Sequence, residues 1–139
     1  MSDAFYVLGK PEPQGSTRAF VVKGRAVTTS ANPNMKGWRE RVATEAQAAG
    51  VTFHEVGPVQ VEVGFRMPKP KSTPRRVVAP VTKPDIDKLG RAVLDALTGI
   101  SYKDDSQVVA LTLTKAYAAE GEPSGAWVEI SEVVQVKVG

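Results

Sequence analysis

Lys83-Pro84-Asp85-Ile86-Asp87-Lys88-Leu89-Gly90-Arg91-Ala92-Val93-Leu94-Asp95-Ala96-Leu97-Thr98 is the stretch on which the fold turns. Ile86, Leu89, Val93 and Leu97 recur at the spacing of one helical face, and Gly99 follows them. The pattern predicts a helix over residues 85–97 with a single apolar stripe turned toward a core. Asp85 stands where a helix is capped. Asp87 and Arg91, four residues apart, are expected together on the polar face. Beyond the helix comes a second pair of acids, Asp104-Asp105, and then a segment rich in β-branched residues over 107–117 that reads as a strand.

On the N-terminal side, Val59, Val61, Val63 and Phe65 alternate with Gln60, Glu62, Gly64 and Arg66, the period-2 pattern of a half-buried strand. Residues 4–8 read as a short strand, and residues 18–28 as a hairpin turning at Lys23-Gly24. Asn32-Pro33 suggests an N-cap and a first-turn proline. Met35, Trp38, Val42, Ala46 and Ala49 then follow at helical spacing up to Gly50. Residues 126–134 supply a last strand after a turn at 120–125. This order of elements predicts an α+β fold, two helices packed on a small mixed or antiparallel sheet, in one domain spanning residues 1–139.

The 139 residues include no cysteine and one histidine, His54, which reads as a loop residue. Thiolate chemistry and histidine-rich metal sites are therefore excluded. No apolar run approaches the ~20 residues of a membrane span and no secretory signature opens the chain, so a soluble, cytoplasmic protein with no membrane partner is expected. The net charge is +3, unevenly spread. Arg66, Lys69, Lys71, Arg75 and Arg76 form a run with no acid among them, and all but Arg66 lie inside a loop at about 67–84 that holds five prolines and shows no periodicity. Loops of this length in compact domains are usually functional or disordered. Arg18, Lys23 and Arg25 on the hairpin extend the list of cations available to a phosphate backbone.

Each acid has a plain structural explanation: Asp85 as a cap, Asp87 as a first-turn acid complementing the helix dipole. Their combination says more. If the turn at Asp104-Asp105 lies beside the helix carrying Asp87, three or four carboxylates gather, and a divalent cation is the natural counter-charge. Magnesium suits carboxylate oxygens, water and substrate phosphate. Lys83, Lys88 and Arg91 surround the acids, either as solvated partners or as groups that grip a phosphate.

The string from Lys83 to Thr98, followed by Tyr102-Lys103-Asp104-Asp105-Ser106-Gln107-Val108, resembles the RusA family of Holliday junction resolvases, in its phage and prophage type. The likeness rests on D-x-D-x-L at the start of a helix, a D-A-L-T tail and a D-D-x-Q-V turn into a strand. It implies a homodimeric, magnesium-dependent endonuclease, with no organic cofactor, that nicks two strands of a four-way DNA junction in recombination and repair. Metal-binding residues carry over to Asp85, Asp87 and Asp105, with Asp104 beside them. The catalytic lysine of the family's best-known form falls on Arg91, with Lys88 as the alternative cation. DNA contacts are expected from Lys69, Lys71, Arg75, Arg76 and Lys83 and from the hairpin. Two other readings stand beside this one, a metal-dependent nucleotide phosphohydrolase and a non-catalytic DNA-binding module. The cationic loop argues against the first and the clustered aspartates against the second.

Overall fold

The computed structural model describes residues 2–15, 17–30, 32–77 and 79–134, with the backbone alone for the strands within 17–30. The element order is β1 (Ser2–Leu8), β2 (Thr17–Val22), β3 (Arg25–Ser30), α1 (Met35–Ala48), β4 (Val59–Met67), α2 (Ile86–Leu97) and, after a 3₁₀ turn (Asp105–Gln107), β5 (Val108–Tyr117) and β6 (Gly125–Glu132). β2 and β3 pair as a separate antiparallel hairpin, and the other strands form a four-stranded sheet in the order β1-β6-β4-β5. Only the β4–β5 pair is parallel, so the sheet is mixed. The two strands flanking α2 are that parallel pair, as a β-α-β crossover requires.

Val59, Val61, Val63, Phe65 and Met67 on β4 all point to one face and are fully or almost fully buried. They meet Trp38, Val42 and Ala46 of α1 and Leu89, Val93 and Leu97 of α2, together with Val7, Val128 and Ile130. Gln60 and Glu62 on the other face are exposed. Both helices therefore cover the same side of the sheet. α2 lies close over β5 because Gly90 has no side chain; a Cβ there would press into Leu113. The β4–β5 register slips by one residue near its start: Val59 is opposite Val108, but Gln60 is opposite Ala110. Val109 is the extra residue, a β-bulge.

Two expectations at helix starts need correction. α1 begins at Met35 with Asn34 at its N-cap, and Asn32 lies two residues outside the helix. Asn32 is instead a clamp: its Oδ1 accepts from the Asn34 amide (3.1 Å) and its Nδ2 donates to the Pro13 carbonyl (2.9 Å). Asp85 does occupy the N-cap position of α2, but its carboxylate makes no capping hydrogen bond and is left for other use.

Gly125 opens β6 against the far end of β1. A Cβ there would collide with the Val7 carbonyl oxygen and lie 2.7 Å from the Tyr6 ring. Backbone cannot move aside as a flexible side chain does, so Gly125→Ala is expected to destabilise the fold by on the order of 3 kcal/mol. A lower midpoint in urea denaturation with an unchanged slope checks this.

Candidate active site and nucleic-acid surface

The loop of residues 68–84 leaves the C-terminal end of β4 and returns to α2 across the C-terminal half of β5. It comes back beside Lys115, whose Nζ donates to the carbonyl oxygens of Thr82 (2.9 Å) and Pro84 (2.8 Å). Asp85 follows directly. Asp85 and Asp87 then line an open cleft of about 1080 Å³ with Val81, Thr82, Lys83, Ile86, Leu113, Thr114 and Lys115. Lys115 was not among the residues singled out from sequence. Its signal is a lysine within an otherwise uncharged strand, at a register position opposite buried Phe65.

On its other side Asp85 borders a second groove, formed with Lys83, Lys88 and the N-terminal segment Lys10, Glu12, Gln14 and Asn32. A backbone hydrogen bond from the Gln14 amide to the Lys88 carbonyl (2.9 Å) ties that segment to the first turn of α2. The approach to the hairpin is thereby anchored beside Asp85. Lys23 lies exposed at the hairpin turn; the side chains of Arg18 and Arg25 lie outside the described residues.

Arg91 does not pair with Asp87. Its guanidinium hydrogen-bonds Asp105 of the following turn and reaches Asp95 at 3.4 Å, one turn further along α2. Asp95 is also approached by Arg39 of α1 at 3.9 Å. The hydrogen bond to Asp105 is the main reason the Arg91 proton is held even more tightly than usual. Asp105 thus meets α2 through Arg91. Among the described residues no three carboxylate or histidine side chains stand close enough to enclose a metal ion, and Asp105 is outside the lining of the Asp85–Asp87 cleft.

Asp104 is occupied locally. Its Oδ1 accepts from the Ser106 amide (2.8 Å), and Gln107 reaches back to the Asp104 amide (3.0 Å), a capping box for the 3₁₀ turn. Hydrogen bonds from Ser106 hold the Asp104 carboxyl below the usual carboxylate range. Gln107 also donates to the carbonyl oxygens of His54 (2.9 Å) and Gly57 (3.1 Å), fixing the turn against the loop before β4. The role of the D-D-x-Q segment in this arrangement is to hold Asp105 at the α2 face.

Among the described residues the basic loop contains no helix or strand, as its prolines foretell. Lys69, Lys71 and Arg75 line a groove with Tyr117 at the end of β5, and Arg76 is exposed nearby. The Lys69 ammonium lies 5.9 Å from the Tyr117 ring centroid and donates to the Arg75 carbonyl (3.1 Å). Leu113, Lys115 and Tyr117 share one face of β5. The acidic cleft and the basic groove are therefore reached along the same strand.

Mg²⁺ prefers oxygen donors, uses one or two carboxylates and completes its shell with water and phosphate. The uncapped Asp85 and neighbouring Asp87, both opening on a cleft wide enough for a phosphate, fit that donor chemistry. Among the described residues no helix is long and apolar enough to cross a membrane.

Comparison with known proteins agrees with this anatomy. The family model "Endodeoxyribonuclease RusA" matches residues 9–131, from the segment that meets α2 to the end of β6. A Bacillus subtilis (strain 168) protein, "Uncharacterized protein YqaN", is 34% identical over 126 residues, covering 84% of this chain and 88% of its own length. With the match running through both helices, the acidic cleft and three of the four strands of the sheet, the chain belongs to the RusA endodeoxyribonuclease family.

Proposed function

We propose that the protein is a Mg²⁺-dependent, structure-selective endonuclease that resolves four-way DNA junctions as a homodimer in recombination and repair. The observation that carries this reading is the pairing of Asp85 and Asp87 in one open cleft, on a chain matched by the endonuclease family over most of its length. Asp85 and Asp87 would hold the cation, and Asp105 could join them only by giving up its hydrogen bond from Arg91. The bound ion supplies charge neutralisation at the phosphate and acidification of the attacking water. Arg91, released from Asp105, faces the charge that builds on the phosphoryl oxygens as the P–O3′ bond breaks. Lys88 lies toward the N-terminal groove and guides the backbone on that side.

Affinity rests on cations meeting phosphates, and selectivity on the shape of the junction. Lys69, Lys71, Arg75, Arg76 and Lys83 supply one tract; the hairpin, with Arg18, Lys23 and Arg25, supplies another. One chain carries a single Asp85/Asp87 cleft, so two cuts related by symmetry need two chains. A dyad-related pair matches a nearly two-fold junction.

The test is incubation of the purified protein with Mg²⁺ and end-labelled four-way, flap and linear duplex DNA. Paired nicks restricted to the four-way substrate are expected. Equal cutting of linear duplex, or hydrolysis of free nucleotides alone, refutes junction resolution. Changing Lys69, Lys71, Arg75 and Arg76 together to Ala is expected to flatten the dependence of log affinity on log salt by ~0.9 for each phosphate no longer neutralised. An unchanged slope means that the loop does not touch DNA.

A further inference from the structure

We infer that Lys115 is a positioning residue for the acidic cleft: its ammonium pins the segment leading into Asp85, and so sets how Asp85 and Asp87 present their carboxylates to a divalent cation. The inference rests on the proposed metal role of those two aspartates. Lys115 occupies a helix-side position on β5, where Val61, Val63 and Phe65 of the neighbouring strand are buried. Lys115 itself is half-buried, its stem covered and its ammonium free to choose between water and protein partners. Its partners are unusual. Among the described residues no carboxylate oxygen lies within 4.0 Å of its Nζ. Two of its three donors instead go to the main-chain carbonyls of Thr82 and Pro84, 33 and 31 residues away in the chain.

Those carbonyls belong to the last residues before α2. Asp85 has no capping hydrogen bond to hold it, and the chain before it runs through a long proline-rich loop. Lys115 is thus the side chain that ties this end of the loop to the sheet, in the same cleft as the two aspartates. Removing a group that orients metal ligands from behind typically weakens metal binding roughly 10–100-fold.

Two opposite effects separate this role from a simple charge effect. A lysine acting only through its charge would repel a divalent cation, so removing it would tighten metal binding. A lysine that holds the ligands in place would, when removed, weaken binding. The experiment is titration of the full chain with Mn²⁺ in the absence of DNA, following free Mn²⁺ by electron paramagnetic resonance, for the parent, Lys115→Met and Lys115→Arg. Met is expected to weaken Mn²⁺ binding about tenfold, and Arg, which keeps donors and charge, to retain most of it. Unfolding midpoints are measured alongside, because a merely structural lysine lowers the midpoint without changing the affinity of the folded protein. Unchanged or tighter binding by a folded Lys115→Met protein overturns the inference while leaving the metal reading intact. Failure of both variants to fold assigns Lys115 to fold stability and overturns it as well. If the parent itself binds no Mn²⁺, the metal reading falls and this inference with it.

Discussion

Asp87→Asn is expected to slow junction cleavage by on the order of 10³-fold or more, while junction binding stays equal to the parent or becomes tighter. The substitution keeps the size and polarity of the side chain but removes the charge that holds a hard cation. Asp87 sits in the first turn of α2, exposed in the cleft, and its side chain makes no hydrogen bond among the described residues; its loss should leave stability nearly unchanged. Binding depends on lysines and arginines, and deleting a negative charge near a polyanion favours it. Single-turnover cleavage and a gel-shift series on the same junction measure the two effects. Cleavage within about tenfold of the parent would remove Asp87 from the metal site. The same variant tests the two-site scheme. Parent protein mixed with excess Asp87→Asn, given time for subunit exchange, should yield nicked junctions in place of paired products.

Arg91→Ala is expected to give the next largest loss, on the order of 10²-fold in the cleavage step, since a positioned cation facing developing phosphoryl charge is typically worth that much. Arg91→Lys should recover most of the rate, because an ammonium keeps the charge although it gives up the planar fork. In the resting protein a single guanidinium nitrogen, Nη1, donates to both Asp105 and Asp95, an arrangement an ammonium can also serve. Lys88→Ala should affect DNA affinity more than rate, given its place on the N-terminal groove. If Lys88→Ala instead stops cleavage while Arg91→Ala does not, the roles of the two cations are exchanged.

Much of the fold was legible because it follows from short-range periodicity. The alternation over Val59–Arg66 and the stripe through Leu89, Val93 and Leu97 each predict an element and its buried face, and both faces are buried as predicted. Ile86, counted in the same stripe, is 36% exposed, because it lies at the cleft and not over the core. The family pattern in the sequence drew attention to Asp85, Asp87 and Asp105, but sequence could not show their partners. Helical spacing places Asp87 within reach of Arg91. Tertiary structure brings Asp105 there instead, and an i,i+4 pair worth a few tenths of a kcal/mol gives way easily to a better-placed acceptor. Asp104 looked like a fourth ligand beside Asp105, yet its carboxylate caps the turn they share. Lys115 escaped notice because its hydrogen bonds cross from one end of a strand to a loop over thirty residues earlier. No local pattern encodes such a link.

The extra residue at Val109 sets the parity of everything after it. In a strand, side chains alternate sides, so a shift of one position exchanges inside and outside for the remainder. With Val109 accommodated as a bulge, Leu113 lies under Gly90 of α2 and Lys115 opens on the acidic cleft. Were the ladder to run straight with Val109 kept in it, Leu113 and Lys115 would both turn to the uncovered face while threonines entered beneath the helix. Deleting Val109 itself is thus expected to leave Leu113 and Lys115 in place, whereas a single-residue insertion between Ala110 and Leu113 would turn both away and disarm the cleft without altering any of its aspartates.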